Sequence, residues 1–128
     1  MESLTTEGVE VIVKSYYEEE LSKPTEAKFI FSYKISIKND NDYSVQLLSR
    51  KWFVFDSKGD HYEVEGNGVI GLQPTIEHQG SHSYESGASL TSSIGRMRGY
   101  YIMENLLTNE QFKVYIPEFD LIAPFVLN

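Results

Sequence analysis

The sequence predicts an all-β fold, an antiparallel sandwich of seven to eight strands. Three observations carry this. Apolar and polar residues alternate with period two in successive runs spaced by roughly ten residues. Glycine or polar clusters separate the runs. Nine tyrosines, seven phenylalanines and one tryptophan favour strands, and no ten-residue window has helical periodicity. A chain of 128 residues reads as one domain, 1–128, large enough to bury a core. Residues 1–7 are expected to be a flexible N-terminus.

The first strand is expected over residues 9–17, with Val9, Val11 and Val13 on one face. A polar loop with Pro24 follows. Residues 28–38 give the cleanest alternation: Phe29, Phe31, Tyr33, Ile35 and Ile37 define a dry face. Asn39 to Asp42 form a turn. In the next strand Tyr43, Val45 and Leu47 point inward at odd numbers, then Leu48, Trp52 and Val54 at even numbers. Such a phase change predicts a bulge near Leu47-Leu48. It also places Arg50 on the face of Trp52, where its stem can cover an aromatic or its fork can hold a carboxylate or phosphate. Asp56 to Asp60 make a hairpin turn, and His61 to Val64 return as a strand. Residues 72–80 read as a connection and 81–90 as a strand. Ser92 to Gly95 turn the chain, and Met97 to Glu104 form a further strand. The last strand, 112–116, is expected to stop at Pro117. Residues 118–128 read as an irregular tail held down by Phe119, Leu121, Ile122, Phe125 and Val126.

Composition restricts function. The net charge of −8 without a basic stripe disfavours nucleic acid, because phosphate backbones are held by Lys and Arg. It also disfavours anionic membranes, and no apolar run is long enough for insertion. The absence of cysteine removes disulfides, thiolate metal sites and cysteine nucleophiles. With no secretory pattern at Met1 to Glu7, this fits a cytoplasmic protein.

The segment Glu63 to Pro74 holds glycines at 66, 68 and 71 in the order GxGxxG. A dinucleotide fingerprint needs a helix after the turn, whose N-terminus holds the pyrophosphate. Val69, Ile70, Gly71, Leu72, Gln73 and Pro74 make a poor first helical turn. A tight β turn is expected instead, with Gly66 and Gly68 at positive φ and Gly71 admitting another backbone. The remaining binding chemistry is a nest of backbone amides for an anion.

Five blocks then carry a resemblance. Gln46 to Trp52, Val64 to Pro74, Tyr84 to Leu90, Gly95 to Met103 and Phe112 to Leu121 occur in the order of the ApaG family's signatures. The family commonly has Thr where Glu85 stands. The resemblance spans about Val9 to Leu127 and implies a fibronectin type III or immunoglobulin-like sandwich. It also implies a protein without established enzymatic activity, linked by name to cobalt resistance and magnesium efflux. In eukaryotic members the domain is thought to recognise a protein partner.

Catalytic and metal patterns are sparse. His78 and His82 are four apart, but Gly80 lies between them in a turn-rich segment, and no third ligand follows at a metal spacing. No GxSxG, HExxH or P-loop pattern occurs. The sequence therefore predicts no enzyme, no cofactor and no metal site. The expected role is a binding module for a protein partner, as a monomer or homodimer. Its expected surface is Gly66, Asn67, Gly68, Gly71 and Gln73 with Arg50 and Arg98. The alternative is a pyrophosphate- or nucleotide-type anion binder at the same corner.

Overall fold

Nine strands build two antiparallel sheets in a computed structural model that describes residues 1–124. The strands are β1 (Glu2–Thr6), β2 (Val9–Tyr17), β3 (Phe29–Asn39), β4 (Val45–Asp56), β5 (His61–Asn67), β6 (Thr75–Ile76), β7 (Ser81–Leu90), β8 (Ile94–Asn105) and β9 (Gln111–Ile122). One sheet has the order β1-β2-β3-β7. The other has the order β5-β4-β8-β9, with β6 added to the same edge of β4 beyond β5. The inward residues interdigitate as the alternation requires. Val9, Val11, Val13, Phe31, Ile35 and Ile37 of the first sheet are buried with Leu47, Trp52, Met97, Met103, Val114 and Leu121 of the second. The rings of Tyr33, Trp52 and Phe119 meet between the sheets at 5.3–6.0 Å.

The predicted bulge is present. The β4–β8 register slips between Leu47 and Ser49, leaving Leu48 as the extra residue and turning Arg50, Trp52 and Val54 to one face. Three expectations are corrected. Residues 1–7 are not a free arm: Glu2–Thr6 pair with β2 through a two-residue turn at Glu7 (φ 45°) and Gly8 (φ 78°). Its side chains are mostly exposed, so no alternation marked it. The last strand does not stop at Pro117 but runs to Ile122. Pro117 lies on an edge strand where the β8–β9 register shifts, so its missing N–H breaks no ladder. The expected tail is thus strand as far as Ile122, with Phe119 and Leu121 buried; Phe125 and Val126 lie outside the described residues. Finally, the 72–80 connection contains β6. No helix among the described residues is long and apolar enough to cross a membrane.

Candidate functional site

The glycine corner closes the gap between β5 and β6, opposite the bulge in β4. Because Leu48 is the extra residue, its carbonyl is spared from the β8 ladder. It accepts hydrogen bonds from the Gly68 amide (2.8 Å) and from Gln73 Nε2 (2.8 Å). Val69 and Leu72 exchange backbone bonds of 2.8 and 3.0 Å around Ile70 (φ 47°) and Gly71 (φ 73°). Positive φ at both central residues makes this a type I′-like hairpin turn. No helix begins here, so no helix dipole gathers at the corner. The amides of Gly68 and Val69 are already bound to carbonyls.

Gly68 has the positive φ expected of it, but Gly66 and Gly71 have different duties from those expected. Gly66 is regular strand opposite Arg50; a Cβ there would lie 2.7 Å from Arg50 Nη1. Gly68 has φ +62° and is also the close approach, since a Cβ would lie 2.0 Å from the Leu72 carbonyl oxygen. Gly71 supplies positive φ in open space. Ile70 is 61% exposed and carries a branched side chain at φ 47°. That backbone region is strained for a β-branched residue and suits asparagine. Ile70→Asn is expected to stabilise the protein by about 1 kcal/mol, seen as a raised urea midpoint with unchanged slope.

Arg50 reaches across Gly66 to bind the carbonyls of Asn67 (3.2 Å) and Gly68 (2.9 Å) through Nη1. It therefore ties the corner to β4. On the outer face of the five-stranded sheet a concavity of about 340 Å³ is lined by Ser49, Arg50, Lys51, Gly66, Asn67 and Tyr100, among others. Of the seven residues expected to form the site, Arg50, Gly66 and Asn67 line this concavity. Gly68, Gly71 and Gln73 build the corner beside it. Arg98 is not brought to the corner: it pairs with Phe53 on β4 and lies over that ring at 5.1 Å.

That placement exposes residues which the sequence reading missed. Phe53, Tyr100 and Tyr115 form a row across β4, β8 and β9, with centroids 6.4 and 6.3 Å apart. Lys51 and Arg98 flank Phe53, and Lys113 lies 4.5 Å from the Tyr100 centroid. Lys51 also holds Glu63 at 2.8 Å and Glu65 at 3.5 Å. The hydrogen bond to Glu63 holds the Lys51 ammonium above its ordinary pKa and the Glu63 carboxyl below its own. The available signal was that outward positions of these strands, normally polar, are aromatic. The other outer face is more polar: Ser32, Lys34, Ser36 and Lys38 on β3 lie beside Ser81, Ser83, Glu85 and Ser89 on β7, with Ile12, Tyr16 and Ile30 among them. The described residues contain no group of three or more His, Asp and Glu placed to hold a metal.

With this geometry in hand, three comparisons bear on kinship. Residues 19–105 match the model of the ApaG domain. The chain is 42% identical to Protein ApaG of Vibrio vulnificus over 120 residues, covering 94% of each. It is 40% identical to Protein ApaG of Brucella abortus over 124 residues, covering 97% of this chain and 95% of the relative. Among solved structures, one described as that of an ApaA protein from Bordetella pertussis superposes with a TM-score of 0.87 at 34% identity. That match covers 91% of this chain and 94% of the other. An X-ray structure of a Northeast Structural Genomics Consortium target gives 0.88 at 35% identity, covering 95% and 92%. The matched residues 19–105 take in the bulge and the glycine corner, the two relatives align over nearly the whole chain, and the chain belongs to the ApaG family.

Proposed function

We propose that this protein is a non-enzymatic, cytoplasmic interaction module that receives a protein partner on the outer face of its five-stranded sheet. The observation that carries this is the row Phe53–Tyr100–Tyr115, which runs beside the concavity at the glycine corner. Aromatic residues and arginine dominate the binding energy of protein interfaces because they bury large, rigid area. Tyr115 of this row is 47% exposed, and Phe55, the next outward residue on β4 after Phe53, is 50% exposed. A core position would hide such area, and the other sheet's outer face, mostly serine and lysine with Tyr16 as an exposed ring, has no comparable row of aromatics among the described residues.

A nucleic acid suits this face less well. The rings carry the chain's own cations, and Glu63, Glu65, Glu118 and Asp120 share the surface. The pyrophosphate reading of the corner is weakened by the amides of Gly68 and Val69 being spent on carbonyls. The family's link to cobalt resistance and magnesium efflux would run through the partner.

The test is affinity capture from the source cytoplasm with the wild type, Tyr100→Ala, Arg98→Glu and, on the opposite face, Lys34→Glu. Proteins retained by the wild type and by Lys34→Glu should fall by about tenfold or more with each of the other two, the loss of a central interface residue. Equal recovery by all four proteins would reject the assignment of this face.

A further inference from the structure

A second feature lies between the sheets, at the side where the edge strands β5 and β7 face one another. Among the described residues the buried side chains are hydrophobic apart from Asn39, Asp56 and Ser92, but here the space between the sheets gathers further polar groups. Tyr33 and Ser86 are cross-strand partners on β3 and β7, and Arg50 and Tyr101 are partners on β4 and β8. Tyr101 is fully buried and its hydroxyl is hydrogen-bonded to that of Tyr84. A slot of about 110 Å³ opens to the outside among these groups, lined by Tyr33, Arg50, Trp52, Tyr62 and Ser86, among others. The Tyr62 hydroxyl donates to the Ser89 carbonyl (3.3 Å), joining β5 to β7 at this side.

The charge in this slot is not balanced. Arg50 spends Nη1 on two backbone carbonyls and forms no ion pair among the described residues. A guanidinium has five N–H donors in a planar fork, so Nε and Nη2 remain. The neighbouring phenols do not supply an anion: burial raises the pKa of Tyr33, Tyr84 and Tyr101, so they stay protonated. A partly desolvated cation beside neutral hydroxyl donors is complementary to an acceptor-only anion.

We propose that this slot binds a carboxylate. The Arg50 fork would take its charge, and the hydroxyls of Tyr33 and Ser86 would complete its hydrogen bonds. The volume suits a group the size of acetate or a glutamate side chain and excludes a nucleotide. The carboxylate comes from a free small acid or from an acidic residue of an extended peptide beside the open edge of β7. Neither arm depends on the outer aromatic face, which lies across the sheet.

The test is a titration followed by amide and arginine Nε–H NMR. Sodium acetate is compared with sodium chloride at constant ionic strength, and a blocked pentapeptide with one central glutamate is compared with its glutamine twin. Acetate should shift Arg50 Nε–H and the amides of Ser86 to Ala88 in a saturable way, and chloride should not. Tyr33→Phe should weaken the effect about three- to tenfold, as expected for one lost hydrogen bond. Arg50→Lys should abolish it; if that variant does not fold, Tyr33→Phe carries the test, because it leaves the corner intact. A glutamate peptide binding more tightly than acetate identifies a protein segment as the source, and equal affinity identifies a free acid. Shifts shared with chloride, or unchanged in Tyr33→Phe, would overturn the proposal.

Discussion

Replacing Asp56 with alanine should cost about 3–5 kcal/mol and lower the melting temperature by roughly 10–15 °C. Asp56 ends β4 and is 4% exposed. Its carboxylate gathers the link between β7 and β8. Oδ2 accepts from the Thr91 amide (2.7 Å) and hydroxyl (2.7 Å), and Oδ1 accepts from the Ser92 hydroxyl and the Lys58 amide (3.2 Å). The two ends being joined belong to different sheets, so this carboxylate fastens one end of the sandwich. Alanine removes the acceptor and leaves the donors behind, which is the costly way to break a buried network.

The same group makes stability depend on pH. Burial pushes the Asp56 carboxyl up, but the hydrogen bonds from Ser92, Thr91 and Lys58 outweigh it and bring the pKa to about 2. A folded pKa below the unfolded one stabilises the fold at every pH above the unfolded value, near 3.9. That contribution fades as pH falls through the folded value. It amounts to about 2.5 kcal/mol, from nearly two pKa units. The stability gap between wild type and Asp56→Asn should therefore be full at pH 6 and smaller by about that amount near pH 2. Urea titrations of both proteins across this range measure it, and the difference cancels carboxylates common to the two. A gap that does not change with pH would show that the carboxylate's charge is not what the network binds.

How much of this was legible in the sequence depends on what each residue's neighbours are. Periodicity reports the face of a strand that is buried locally, so β2, β3, β7 and the Leu48 bulge could be read from residue types alone. It says nothing about a strand exposed on both sides, and β1 was missed for that reason. Pro117 predicts a stop, as proline does in a central strand, and only topology reveals that β9 lies at an edge. At the glycine corner the turn was legible, but the division of labour was not. Gly66 faces Arg50 from sixteen positions away, a pairing that neither spacing nor pattern reveals, and only the β4–β5 register shows that its missing Cβ admits a guanidinium. Asp56 read as an ordinary turn residue because its partners, Thr91 and Ser92, belong to another turn. The aromatic row was visible as residues and invisible as a row, since Phe53, Tyr100 and Tyr115 meet only once three strands are aligned.

Gly99→Ala should be among the most damaging single-methyl additions in the chain, costing about 3–4 kcal/mol. Gly99 sits in β8, hydrogen-bonded to β4 on one side and β9 on the other. A Cβ at this position would lie 2.2 Å from the Lys51 carbonyl oxygen and 3.2 Å from Trp52 Cα. Both obstacles are backbone, and neither strand can withdraw without breaking ladder bonds on its far side. The β8–β9 register shift beside it, between Met97 and Gly99, already uses the local slack. Gly71→Ala is the matched control. Its Cβ would meet nothing within 4 Å, so only the positive φ opposes it, at about 1 kcal/mol. Urea midpoints at constant slope separate the two; equal losses would mean that β4 and β8 do not approach as closely as described. The consequence reaches the proposed interface. Lys51, Phe53, Arg98 and Tyr100 flank this contact on the outer face, so the close approach at Gly99 sets the 6.4 Å spacing of Phe53 and Tyr100. A methyl group that forces β4 from β8 should therefore weaken partner capture even under conditions where the variant remains folded, whereas Gly71→Ala should leave capture unchanged.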